Sequence, residues 1–208
     1  MRIAVGLIRI ALAIAIIAAV VTTHLDALGR GPVNLFNLYG YFTTQSNLIS
    51  VGVLIAAGIQ AFRGRASGPV LSVLRAVATT CIAVVGIVYA TLLAPIGADV
   101  DIVAPWANIV LHYVSPIVVV LDWLLVGDRR RLGLGRIWML LVYPAVWTIV
   151  VLIRGATDGW VPYPFLSPSQ GYGVVSLYCV AILVVFVVFG LLVLLASRYR
   201  GLLLPRRG

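Results

Sequence analysis

The sequence contains no lysine, and charged residues make up only 10% of the chain against 62% hydrophobic ones. So thin a polar surface excludes a soluble globular domain, in which charged residues are about 25% of the total. Cysteine is scarce as well. Cys81 and Cys179 lie in separate apolar runs with neither a pairing pattern nor metal-ligand spacing. A disulfide scaffold and a thiolate metal centre are thereby excluded, and both thiols read as small buried hydrophobes. No cofactor is called for. The chain also lacks an internal repeat, inverted-half symmetry, and any linker long enough to hold a soluble domain.

What it has is length in apolar runs. Six of them reach the roughly 20 residues that cross a hydrocarbon core, at about 4–23, 42–62, 70–94, 105–126, 137–153 and 172–196. The expected fold is all-α, a single bundle of six transmembrane helices followed by a basic tail at 197–208. The first run starts beside Arg2 as a signal peptide would. It is long and has no small-x-small cleavage site, so it is expected to remain as a helix.

All 15 basic residues are Arg, and thirteen of them fall on one side of the expected bundle. Only Arg30 and Arg154 fall on the other, with Asp26, Asp99, Asp101 and Asp158. The positive-inside rule then puts both termini in the cytoplasm. Because these Arg flank membrane spans, the net charge of +9 points to anionic lipid headgroups as partners and away from nucleic acid. Exclusive use of Arg is a codon habit of GC-rich bacterial genomes, and the expected location is a bacterial plasma membrane. Oligomeric state is not readable.

Polar side chains inside the apolar runs are few enough to weigh singly. Tyr41, Phe42, Thr43, Thr44, Gln45, Ser46, Asn47 and Leu48 open the second run, and Thr43, Thr44, Asn47 and Ser50 share an arc of roughly 120° on a helix. A helix mouth presents unpaired N–H groups and a positive dipole end, which suits an oxyanion. The same hydroxyls also serve as helix caps, so two uses stay open. In the fourth run Asn108, His112, Ser115 and Asp122 lie within roughly 80° of one face, which a membrane helix turns inward. Pro116 has no N–H for the carbonyl of His112, so a kink is expected there. His112 lies about 10 Å deep, level with Thr44. Asp122 lies about 15 Å further down and is expected to pair with the run Arg129, Arg130 and Arg131.

A hydroxyl within reach of a neutral base makes a nucleophile, and Thr44 with His112 is the pair able to form one, with Asn108 holding the ring tautomer. The remaining polar features read more plainly. His24 sits at an interface, and Thr79, Thr80, Tyr89 and Thr91 serve packing and interhelical hydrogen bonds. The segment 159–168 is rigid and aromatic, and its Trp160 and Tyr163 belong either to an interface belt or to a lid over a cavity below.

Three segments carry a resemblance: Phe42-Thr43-Thr44-Gln45-Ser46-Asn47-Leu48, Asn108-Ile109-Val110-Leu111-His112, and Trp160-Val161-Pro162-Tyr163-Pro164-Phe165-Leu166. In order and spacing the chain resembles the androgen-induced-protein family of multi-span membrane hydrolases and its bacterial six-span relatives. That resemblance implies a threonine nucleophile and a histidine that cleave esters of hydroxy fatty acids, with Thr44 and His112 at those positions. Thr43, Asn47, Asn108, Ser115, Trp160 and Tyr163 are the candidate substrate-binding or supporting residues around that pair. The chain departs in having Thr43 beside Thr44, an extra Pro162 and short loops, which leaves the choice of threonine and the substrate open. The leading expectation is an intramembrane lipid ester hydrolase. A non-catalytic membrane protein, either a small transporter or a partner subunit, is the alternative. A haem bound between His24 and His112 is a third.

Overall fold

The computed structural model describes residues 1–96 and 104–204. Asp99, Asp101, Arg206 and Arg207 lie outside the described residues. Six helices are long and apolar enough to cross a membrane: Arg2–Arg30, Phe42–Phe62, Pro69–Ile96, Pro105–Leu125, Leu134–Thr157 and Tyr172–Ala196, called spans 1 to 6. In hydrocarbon a backbone must satisfy its own hydrogen bonds, and aliphatic runs of this length do so as helices. Pro69 and Pro105 open spans 3 and 4, where a missing N–H costs nothing. Span 1 outruns its apolar stretch by about two turns. There the polar residues continue the helix outside the hydrocarbon, and Asp26 pairs with Arg30 one turn on at 3.0 Å.

Span 3 is the hub and touches spans 2, 4, 5 and 6. Spans 1 and 2 pack closest, because Gly58 offers no side chain where Ile10 presses in; a Cβ there would sit 3.1 Å from the Ile10 methyl. Ile16, Leu54, Ile82, Leu111, Val119 and Phe186 belong to the main core. Spans 5 and 6 keep large aliphatic side chains exposed along their lengths, the face a bilayer would cover.

At the Arg-rich end the interior is charged. Arg9 of span 1 and Arg75 of span 3 are buried, and between them stand Asp122 of span 4 and Asp128 just beyond it. Arg9 donates to Asp122 at 2.8 and 3.2 Å and to Asp128 at 2.6 and 2.9 Å, while Arg75 donates to Asp128 at 2.7 Å and to Asp122 at 2.9 Å. The expected partner of Asp122 is therefore corrected. It pairs with Arg9 and Arg75, while the Arg129 side chain donates to the Val126 carbonyl just past span 4 and to the carbonyls of Ala196 and Tyr199 at the end of span 6. Those last carbonyls of a helix lack intrahelical donors, and a cation there also meets the negative dipole end. Arg129 lies over the Trp123 ring as well, 4.8 Å from its centroid. Burial and the neighbouring Arg75 pull its guanidinium down to about 10. Nearby, the tail pairs with the span 4–5 connector through Gly127 N–H to the Leu203 carbonyl at 2.7 Å. A Cβ on Gly127 would collide with the Arg200 carbonyl, so only glycine fits there.

Candidate functional site

The opposite end of the bundle is polar without being charged inside. Span 2 starts at Phe42, and its first turn has N–H groups with no intrahelical acceptor. The Thr43 N–H donates to the Tyr163 phenol oxygen at 3.3 Å, and the Thr43 hydroxyl lies 3.3 Å from that same oxygen. Burial pushes the Tyr163 phenol up to about 12, so near neutral pH it keeps its proton and remains a donor. One turn further on, the Asn47 side-chain amide donates to the carbonyls of Thr43 at 3.0 Å and Leu111 at 3.1 Å. Span 2 is thereby fastened to span 4 at the residue preceding His112.

Spans 3 and 4 each contain a widened, π-helical turn at this level, Tyr89–Leu93 and Val110–Val114. Each is followed by a proline, Pro95 and Pro116, four residues after its middle residue. The missing proline N–H leaves that residue's carbonyl without its usual partner, and a wider turn accommodates the break. Tyr89 and His112 sit on these two turns and stack on one another, with ring centroids 4.0 Å apart and planes inclined by 22°. His112 Nδ1 lies 3.2 Å from the Asn108 carbonyl. A carbonyl only accepts, so Nδ1 carries the proton of the neutral ring and Nε2 carries the basic lone pair. It is the backbone carbonyl of Asn108 that meets the ring. The Asn108 amide is used elsewhere, donating to the Tyr89 hydroxyl at 2.5 Å.

Next to this layer lies a cavity of about 310 Å³ between spans 3, 5 and 6, at the lower edge of the roughly 300–1,000 Å³ typical of ligand sites. Its walls are almost wholly apolar, including Val84, Leu141, Pro144, Leu183 and Phe186. Tyr163, Phe165 and Leu166 of the 159–168 segment line the cavity, and Trp160 does not. The hydroxyl-bearing residues of the lining are Thr43, Tyr89, Thr148 and Tyr163. The segment is braced from beneath: Tyr163 stacks on Phe165 at 5.3 Å and meets Tyr41 edge-on at 5.8 Å, while Trp160 lies over the Arg154 guanidinium at 4.3 Å. Arg154 in turn donates to Asn37 at 2.8 Å, and Trp147 donates to the Gly40 carbonyl at 2.9 Å, pinning the 31–41 loop to span 5.

The expected site residues divide. Thr43 and Tyr163 meet at the cavity. Asn47, Asn108, His112 and Ser115 form the adjoining interior layer, in which Asn47 Oδ1, Asn108 Oδ1 and Ser115 Oγ have no hydrogen-bond partner among the described residues. Thr44 is half-buried and shares no hydrogen bond with His112 among the described residues, and neither of the two lines the cavity. Trp160 lies outside the cavity lining. His24 is engaged by the Tyr39 hydroxyl at 3.1 Å, away from the His112 stack. Tyr89 makes the interhelical hydrogen bond expected of it, from Asn108, and in addition stacks on His112 while lining the cavity that His112 does not reach. Its local signal is the proline six residues on, where a helix must widen or stop.

The fold and this site define a multi-pass, all-α membrane protein with an apolar interior cavity. No known family model, curated protein or solved structure matches the chain.

Proposed function

We propose that this protein is an intramembrane lipid ester hydrolase of a bacterial plasma membrane, with both termini in the cytoplasm and its site in the outer half of the bilayer. The observation that carries the reading is the apolar cavity ending at Thr43 and the Tyr163 phenol, room for an acyl chain with a hydroxyl and a proton donor at its polar end. The distribution of arginines supports the orientation.

In this reading a threonine Oγ attacks the ester carbonyl and its proton passes to His112 Nε2. The tetrahedral intermediate collapses, the alcohol leaves with that proton, and water then releases the acyl group from the threonine by the reverse transfers. Thr44 is the nucleophile by its place in the motif, and Thr43 is its rival by its place on the cavity wall. The Tyr163 hydroxyl and the Thr43 N–H, which meet each other at the cavity, would turn to the oxyanion as its donors. Asn47 and Asn108 hold the two helices and the histidine in register, with Ser115 behind them.

A second reading, a non-catalytic membrane protein that is a small transporter or partner subunit, is favoured by one observation, that neither Thr44 nor His112 is among the residues lining the cavity. Labelling of the purified protein by a lipid-like fluorophosphonate separates the two. Wild type should label, His112→Ala should not, and of Thr43→Ala and Thr44→Ala only the variant lacking the nucleophile should fail. No labelling of wild type, in a detergent where a known esterase labels, would favour the second reading.

A further inference from the structure

The arginines of the Arg-rich end fall into two groups. Arg9, Arg75 and Arg129 are buried and consumed by Asp122, Asp128 and backbone carbonyls. Arg130, Arg131 and Arg136 are exposed, and no side chain of the three makes an ion pair or hydrogen bond among the described residues. These three surround a groove of about 440 Å³ between the beginnings of spans 3 and 5, whose floor includes Val70, Leu74 and Met139. Asp122 and Asp128 are already held by Arg9 and Arg75, so no acid at this end is left among the described residues to pair with the three charges.

The groove is also held in shape. The Arg130 N–H donates to Ser72 Oγ of span 3 at 2.9 Å, and the Leu132 N–H donates to Ser197 Oγ beyond span 6 at 2.9 Å. The connector that presents the guanidinium groups is therefore tied on both sides, and little ordering is left to a ligand. Trp138, exposed on the same turn of span 5, is placed as an interfacial anchor.

We propose that this groove is a binding site for one anionic phospholipid of the adjoining leaflet. Its phosphate would be held by Arg130, Arg131 and Arg136, and the upper part of an acyl chain would lie along Val70 and Leu74. Charge complementarity selects the anion, since guanidinium forks match phosphate oxygens in pairs. The apolar floor selects a lipid over a free anion, and basic pockets between membrane helices hold such headgroups. This proposal does not depend on the hydrolase reading, because the groove lies at the other end of the bundle from Thr43 and His112.

The test is native mass spectrometry of the purified, delipidated full chain titrated with phosphatidylglycerol or phosphatidylcholine. One phosphatidylglycerol should bind in preference to phosphatidylcholine. Each arginine changed to glutamine should weaken it about fivefold, and R130Q/R131Q/R136Q on the order of 100-fold. R198Q/R200Q, exposed arginines outside the groove, should bind as wild type. Val70→Trp fills the slot while leaving the charges, is placed at an exposed position, and should also lose the preference, so the proposal stays testable if the triple variant does not fold. Equal binding of the two lipids, an equal loss in R198Q/R200Q, unchanged binding by Val70→Trp, or displacement of the lipid by millimolar inorganic phosphate would each overturn it.

Discussion

The two polar layers inside this bundle are built on opposite terms. At the Arg-rich end, every oxygen of Asp122 and Asp128 accepts from Arg9 or Arg75, and the four charges sum to zero. At the other end the layer is formed by Thr43, Asn47, Asn108, His112 and Ser115, with no carboxylate or guanidinium among them, and three of their oxygens have no partner among the described residues. An unpaired ion in a low-dielectric interior costs several kcal/mol, which Arg9, Arg75, Asp122 and Asp128 avoid by pairing with one another. The buried Arg129 relies on carbonyls and keeps an Nε without a partner among the described residues. A neutral group left unpaired costs about 1–3 kcal/mol, which a fold can bear and a ligand can recover. The charged layer is therefore read as a fastening of spans 1, 3 and 4, and the neutral layer as the place with capacity left for chemistry.

The comparison breaks most visibly if the charged layer is opened. Asp128→Asn should lower stability by about 3–5 kcal/mol, seen as a fall in unfolding temperature in detergent, because Arg9 and Arg75 are left short of a counter-charge. Its pH counterpart has a definite sign. Burial opposes ionisation of Asp128, but the hydrogen bond from Arg9 and the charges of Arg75 and Arg9 outweigh it and hold the carboxyl below its usual range. A depressed value in the folded state stabilises above the ordinary value of about 3.9, and that gain disappears as pH falls through the folded value. Wild-type unfolding temperature should thus be insensitive to Asp128 from pH 7 to about 5 and drop below about 4, and Asp128→Asn should flatten that acid limb.

Opening the neutral layer should do the reverse, sparing the fold and removing turnover. His112→Ala is expected to reduce ester cleavage by about 10²–10⁴-fold, as loss of a general base does, with a modest change in unfolding temperature. Smaller still is Tyr163→Phe. It removes the hydroxyl that meets Thr43 and should cost about 1 kcal/mol of stability while slowing labelling of the threonine. The smallest effect belongs to the exposed pair of Arg154 and Asp158, where Asp158→Asn should leave the unfolding temperature unchanged in the same assay, because solvent screens the pair.

Much of this was legible in advance, for reasons that differ from residue to residue. The six spans follow from apolar length. The inward face of span 4 follows from the spacing of Asn108, His112, Ser115 and Asp122, and the break at His112 follows from Pro116. Arg9 was legible in principle, since it lies in the stripe of Val5, Leu12 and Ile16 that the bundle buries. It was read as an orientation signal because a basic residue near a helix end serves that purpose whether or not it turns inward. Asp128 carried no periodic signal at all, standing in a connector beside three arginines, none of which takes it as an ion-pair partner.

The sequence by itself determined that the chain is a helical membrane protein, how many times it can cross, and which few residues are polar inside. Those properties are local: run length, helical period and the missing N–H of proline act within a few residues. Only the tertiary structure decided that Asp122 meets Arg9 and Arg75, that Thr43 and not Thr44 faces the cavity, and that Tyr89 stacks on His112. Each of those depends on the rotation and depth of one helix against another. Helices in a bilayer share nearly the same apolar surface on every side, so contact between particular small and polar side chains chooses the arrangement, and no single span contains that information.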